Sequence, residues 1–297
     1  MKLHADPKPA PGLTMGLLMP LVDEKIRSLC AEPGRRDDDI YQTALNGHLS
    51  AGGQRTRALI SLSCSNALNL SQSDSIALAA SVELLHNASL VQDDLQDRAT
   101  KRRGAATVWS EHGVDCAIGL TDLMIAGAFR ALGGISQPAA IPGLIENLYR
   151  AISVTLRGQT DDLSGKAAGL EGALSIARLK SGPLFALSFE LPLYLSGRHE
   201  FLRQAFEAAE SFGLGYQIYD DIVDLDEDRA ARSHGNTVLA LEISLPPEEA
   251  RISARLLARQ HLETSASMAR ELPSGSGRAL ADLASRISER LNDLFDV

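Results

Sequence analysis

The chain has 297 residues, 44% hydrophobic and 23% charged, a balance that suits a globular protein and excludes a disordered or fibrous one. A net charge of −9 disfavours non-specific nucleic-acid binding, and the longest uncharged stretch, 16 residues from Ala58 to Ser73, is shorter than the roughly 18 apolar residues of a membrane span. Three cysteines (Cys30, Cys64 and Cys116) with no CxxC spacing argue against a disulfide framework or structural zinc, and for a reducing cytoplasm.

The first apolar run, Leu13 to Leu18, is interrupted by Gly16 and followed by Pro20 and Asp23, which makes it a poor secretory signal and a better helix start. Helical periodicity prevails from there on, and no alternating pattern predicts a strand. Helices are expected near 15–30, 36–49 and 54–70, from Leu78 unbroken to Asp97, and near 114–133, 139–164 and 171–196. Further helices are expected from Glu200 to about Asp228, with Gly213 and Gly215 as weak points, and near 247–266 and 275–295. Turn residues mark the breaks: Glu32-Pro33-Gly34, Gly133-Gly134, Pro138, Gly165, Ser196-Gly197, Pro246-Pro247 and Pro273-Ser274-Gly275. Without a flexible linker or tandem repeat, about ten helices form one all-α domain over 1–297, with a motif-bearing core of about 45–240.

Two acidic motifs stand out on these helices. Asp93-Asp94-Leu95-Gln96-Asp97 places Asp93 and Asp97 one turn apart on one helix face. Asp220-Asp221-Ile222-Val223-Asp224 repeats the spacing 127 residues later (220 − 93), with Asp220 and Asp224 sharing a face. A solvated acidic face is the plain explanation of one such motif. Each of these two, however, ends an apolar run: Ala88-Ser89-Leu90-Val91 precedes the first and Leu214-Gly215-Tyr216-Gln217-Ile218 the second. Like charges one turn apart repel unless a cation sits between them. Oxygen-only donors with no Cys or His cluster nearby select a hard cation, Mg2+ or Mn2+, which keeps several waters and shares carboxylates with substrate phosphates. Two facing clusters would hold a diphosphate through such ions. Asp161-Asp162 lacks an acid one turn on and reads as structural or as a support behind site residues, while Asp226, Glu227 and Asp228 read as a solvated continuation of the second motif.

An acidic chain that binds diphosphates must place its cations locally. Gly52-Gly53-Gln54-Arg55-Thr56-Arg57 is a glycine-led basic turn opening a helix, where backbone N–H groups and arginines suit phosphate oxygens. Lys101-Arg102-Arg103-Gly104 follows the first acidic motif in what reads as a loop, and Lys180-Ser181-Gly182 reads as an interruption of an apolar helix. His86 lies seven residues before Asp93, two turns down the same face.

In this order the motifs resemble those of the trans-isoprenyl diphosphate synthase (polyprenyl synthetase) family, over roughly 45–240. The resemblance implies an all-α isoprenoid synthase-type bundle around a central apolar cavity, Mg2+ dependence (Mn2+ as a substitute), a homodimer, and head-to-tail condensation of an allylic diphosphate with isopentenyl diphosphate. By that resemblance Asp93, Asp97, Asp220 and Asp224 are metal ligands, with Asp94 and Asp221 in catalytic support. Arg102 would contact the allylic diphosphate, with Lys180, Ser181 and Gln217 on the same side. Arg103, Arg57 and His86 would hold isopentenyl diphosphate. Three features depart from the family pattern: Gln54 stands where it has lysine, Gln92 where it has histidine before the first motif, and the lysines usual after the second motif are absent from a stretch that reads Arg229, Arg232, His234, Asn236 and Thr237. Gln54 thus removes a cation from the isopentenyl pocket.

Product length has one local clue. Ala88 is five residues, about 7.5 Å of helix rise, below Asp93, with Leu85 beneath it. Short-chain members of the family often carry an aromatic residue at that level, so an open Ala88 implies a product longer than C15, with C20 first. Two rival readings share the motifs. A class I terpene cyclase would use aromatic faces to stabilise migrating cations, and aromatics are only 4% here. A non-catalytic partner subunit of a synthase would fit the missing lysines, but both acidic motifs are complete.

Overall fold

The computed structural model describes residues 15–31, 39–164, 169–231 and 235–293. The expected breaks at Glu32-Pro33-Gly34 and Gly165, the start of the helix expected from 36, the end of that expected to 295, the Leu13 end of the first apolar run, and Arg232 and His234 lie outside them. The chain packs as two compact units, Met1–Ile145 and Glu146–Val297.

The first unit is built round α4 (Gln72–Gln96). Ser71 starts it, its hydroxyl accepting from the Asp74 N–H, and Leu78 to Leu85 are buried on every side, as befits a helix without a polar face. Against α4 pack α1 (Met15–Leu29), α3 (Thr56–Ala67), α5 (Val108–His112) and α6 (Val114–Leu132), with α2 (Ile40–Ser50) on α6. Asp39 caps α2 by accepting from the Tyr41 N–H at 2.9 Å. Buried Asp74 fixes the turn after α6, accepting from the N–H and hydroxyl of Ser136 at 2.9 and 2.6 Å.

One expectation is overturned here. Lys101–Arg102 (β1) and Ala105–Ala106 (β2) pair antiparallel, Lys101 opposite Ala106, so the basic run is a hairpin and not an irregular loop. Its two turn residues, Arg103 (φ 52°) and Gly104 (φ 81°), are both left-handed, as the tightest hairpin connection requires.

The second unit takes α7 (Ile141–Leu163) from Glu146 on, followed by α8 (Gly169–Leu195), α9 (Leu202–Val223), α10 (Leu225–Ala231), α11 (Thr237–Glu242), α12 (Pro247–Arg270) and α13 (Arg278–Asp293). α9 packs between α8 and α12, and α13 covers α12. Two further expectations change. α8 runs on through Lys180-Ser181-Gly182 and through Pro183 and Pro192, so that triplet is no interruption. The helix expected from Glu200 to about Asp228 ends at Val223 and restarts as α10. Gly213 and Gly215 do not weaken α9. A Cβ on Gly213 would lie 3.2 Å from the Gly182 nitrogen, and one on Gly215 2.8 Å from Leu262 Cγ and 3.0 Å from the Ala258 carbonyl oxygen. These glycines let α8 and α12 approach α9 closely.

Candidate active site

In the first unit the glycine-led turn and the hairpin meet. Gly52 (φ +91°), Gly53 (φ +145°) and Arg55 (φ 46°) take left-handed conformations before α3 begins. Arg103, raised by the hairpin turn, donates from Nη1 to the Gly52 carbonyl. A Cβ on Gly53 would stand 2.6 Å from that same Nη1, so the approach needs glycine. From the first turn of α3, Arg57 donates through Nη1 to His86 Nε2 at 3.0 Å. Guanidinium is always the donor, so the imidazole is neutral with its proton on Nδ1. Burial first, then Arg57, Arg103 and Arg102, hold the His86 pKa well below its usual value. The side chains of Arg57, His86 and Arg103 thus cluster as expected, while Gln54 is exposed at the rim of the turn. Arg55, on the same turn, faces inward: its side chain is mostly buried and its guanidinium is held by Asp23 and the Leu49 carbonyl, away from any phosphate-facing role.

The first acidic motif closes α4. Asp93 is half-buried; exposed Asp97 is the C-terminal cap, its N–H donating to the Asp93 carbonyl at 2.8 Å. Asp94 is buried and turns the other way. It receives Arg102 Nε at 3.0 and 2.9 Å on its two oxygens and Arg102 Nη2 at 2.9 Å. Its carboxylate therefore fixes the arginine of β1. Ala88 and Leu85, one and two turns further down α4, are both buried.

The second unit carries the other motif at the end of α9. Asp224 is the cap, its N–H donating to the Asp220 carbonyl at 2.8 Å. Buried Asp221 accepts from the Thr237 N–H at 2.8 Å and from Gln217 Nε2 at 3.1 Å. Asn236, missed as a site residue by sequence reasoning, ties this end together. Its amide donates to the Asp221 carbonyl (2.9 Å) and Asp228 (2.7 Å), and its oxygen caps α11 by accepting from the Val238 and Leu239 N–H groups. Asp226 and Glu227 are exposed as expected, but Asp228 is half-buried and held by that bond. Lys180 Nζ pairs with Asp162 at 2.7 Å, giving Asp162 the structural role its sequence context suggested. Ser181, beside Lys180, has its Cβ in the α8–α9 contact at Gly213.

Electrostatics tell what the motifs lack. Helix C-termini carry partial negative charge and favour cations, yet both α4 and α9 end in carboxylates with no basic residue in the last turn. Burial, then Asp224 and Asp221, push the Asp220 carboxyl up to about 7. Burial first, then Asp228 and Glu227, also raise Asp224. Among the described residues no three His, Cys, Asp or Glu side chains gather into a finished cation site. Oxygen-only aspartate donors on a helix end that favours cations have the chemistry that suits a hard divalent ion such as Mg2+.

Comparison with known proteins supplies independent findings. A model of the Polyprenyl synthetase family matches residues 38–236. The geranylgeranyl pyrophosphate synthase of Geoglobus acetivorans is 32% identical over 231 residues, covering 74% of this chain and 70% of that protein. A "probable farnesyl diphosphate synthase" of Bradyrhizobium diazoefficiens is 32% identical over 281 residues, covering 91% and 81%. The solved geranylgeranyl pyrophosphate synthetase from Geoglobus acetivorans superposes with a TM-score of 0.77 at 27% identity, over 93% of this chain and 99% of that one.

Proposed function

This chain belongs to the polyprenyl synthetase family and at that level is a trans-prenyltransferase joining an allylic diphosphate to isopentenyl diphosphate; we propose that it works with Mg2+, with Mn2+ as a substitute, and makes a product longer than C15, C20 first. The observation that carries this reading is the pair of aspartate motifs at helix C-termini, each in a last turn that holds no basic residue. As an acidic homodimer in a reducing cytoplasm it would need no membrane anchor; among the described residues no helix is long and apolar enough to cross a membrane.

In the proposed mechanism Arg57, Arg103 and the Nδ1–H of His86 hold the diphosphate of isopentenyl diphosphate, with Gln54 at its edge. Arg102, steadied by Asp94, Lys180, steadied by Asp162, and Ser181 and Gln217 serve the allylic diphosphate. Asp93 and Asp97 on one unit, and Asp220 and Asp224 on the other, are the residues that would hold metal, and Asp221 anchors the second motif to α11. Bound Mg2+ supplies Lewis acidity and charge neutralisation for the leaving diphosphate. Neutral His86 can both accept from Arg57 and donate to a phosphate oxygen, which an imidazolium could not do. With the isopentenyl diphosphate fixed, its double bond attacks the allylic C1 as the C–O bond breaks. A proton is then lost to the released diphosphate, so no protein base is required.

The test is incubation of the protein with Mg2+, labelled isopentenyl diphosphate and dimethylallyl, geranyl or farnesyl diphosphate in turn. Longer labelled diphosphates are expected. A hydrocarbon formed without isopentenyl diphosphate would mean cyclisation, and no turnover with any primer would mean a non-catalytic subunit; either result overturns the proposal.

A further inference from the structure

Glu83 is a single acid inside the apolar run of α4, and its carboxylate is buried. Among the described residues three donors meet that carboxylate. Oε2 accepts from the Ala58 N–H at 3.3 Å, Oε1 accepts from Asn87 Nδ2 at 3.3 Å, and Arg55 Nη1 lies 3.8 Å from Oε1. Asn87 is itself fixed, its Nδ2 donating to the Glu83 carbonyl at 2.7 Å and its Oδ1 accepting from His48 Nε2 at 3.0 Å. Arg55 reaches in the other direction. Its Nε donates to Asp23 on α1 at 3.2 Å and its Nη2 to the Leu49 carbonyl at the end of α2 at 3.1 Å. The guanidinium therefore joins α1, α2 and α4 from a residue whose own backbone is left-handed (φ 46°). A non-glycine residue keeps such a conformation only where its surroundings over-determine it. Two residues on either side of Arg55 stand the groups that matter: Gly53, against which Arg103 lies, and Arg57, which reaches His86.

We propose that Glu83 and Arg55 are positioning residues for isopentenyl diphosphate: their buried pair, clamped by Asp23 and Asn87, holds the 52–57 turn in the shape that brings Arg57 to His86 and Arg103 to Gly52. Neither touches substrate. Arg55 Nε and one N–H of Nη2 already have protein acceptors, and the Glu83 carboxylate is buried. The inference rests on the reading of the Arg57–His86–Arg103 cluster as the isopentenyl diphosphate site.

Steady-state kinetics with saturating allylic primer and varied isopentenyl diphosphate test it on Glu83→Gln and Arg55→Lys. Glu83→Gln keeps the volume and removes the charge; Arg55→Lys keeps the charge and removes the planar fork. In both, the KM for isopentenyl diphosphate is expected to rise on the order of tenfold or more, with kcat and the KM for the allylic primer held near wild type. A role in packing alone would instead lower the folded fraction, and with it the apparent kcat, leaving both KM values unmoved. If Glu83→Gln or Arg55→Lys fails to fold, Asp23→Asn, at the half-exposed outer end of the clamp, decides: a smaller rise in the same KM supports the inference and an unchanged one overturns it. The outcomes separate from those of the underlying reading. Wild-type protein that never incorporates isopentenyl diphosphate refutes the proposed function. Active wild type with variants of unchanged KM refutes only the clamp.

Discussion

Asp220 shows how far a single carboxylate can be set against its surroundings. Its pKa is raised from 3.8 to about 7 by burial and then by Asp224 and Asp221. Without metal, the native protein holds this proton more tightly than the unfolded chain does. The group's contribution to stability is therefore complete below the ordinary aspartate pKa and is lost as pH rises through about 7. Metal-free thermal denaturation should show Tm falling across that window, and Asp220→Asn should flatten this part of the profile; an identical profile in the variant would contradict the cause given. Since Mg2+ replaces the proton, its stabilising effect should be larger at about pH 8 than at about pH 6. A second residue-scale consequence concerns Gly53. Alanine there would put a Cβ 2.6 Å from Arg103 Nη1 at a φ of +145°. Loss of one charge-assisted bond at a phosphate, about 1.5–3 kcal/mol, would raise the KM for isopentenyl diphosphate on the order of ten- to a hundredfold. Arg103 can move aside, but the backbone strain of alanine at this φ should also lower Tm. The residues that touch the proposed substrates were legible because phosphate chemistry asks for Asp, Arg and His in recognisable spacings. Their pairings were not. Asp162 reads as a support without its partner, because Lys180 lies on a different helix; Asn236 reads as an ordinary turn residue, and Glu83, a lone charge in an apolar run, does not disclose Arg55 as its partner.

At the scale of elements, the long helices were readable from periodicity because each has a stripe or a full girdle of apolar residues and a turn cluster at its end. The short pieces were hidden. A hairpin of two-residue strands has no room for alternation, and Arg103-Gly104 is a basic pair before it is a turn signal. α10 and α11, at 7 and 6 residues, are set by the Asn236 cap and by tertiary contacts more than by pattern. The glycines of α9 read as weak points for a physical reason: helix propensity counts a glycine as a loss, whereas at Gly213 and Gly215 the missing side chain permits the helix crossing. Gly215→Ala should thus destabilise the protein by about 1–3 kcal/mol in denaturant unfolding, although alanine is the better helix former; a gain in stability would show that the crossing has slack. Asn236→Ala removes a cap and strips Asp221 and Asp228 of a donor. It should cost at least about 1 kcal/mol and weaken metal-dependent activity out of proportion to the folded fraction.

Across the whole molecule negative charge prevails, and the cations that matter are gathered locally. The net charge of −9 coexists with clustered Arg57, Arg102 and Arg103 in one unit, and with two acidic helix ends, one in each unit. Ala88→Phe should shorten the longest product made from isopentenyl diphosphate, as read by chromatography of the dephosphorylated alcohols; an unchanged product would place the floor of the chain-length pocket elsewhere. Sedimentation should give the mass of two chains. The most direct measurement is Mg2+-dependent transfer of label from isopentenyl diphosphate into a longer prenyl diphosphate, compared among wild type, Asp93→Asn and Asp220→Asn. Robust transfer by wild type, abolished by EDTA and reduced by orders of magnitude in each variant, is the result expected. Transfer that persists when either aspartate is replaced, or that needs no divalent ion, would contradict the claim that both acidic helix ends serve the reaction through metal.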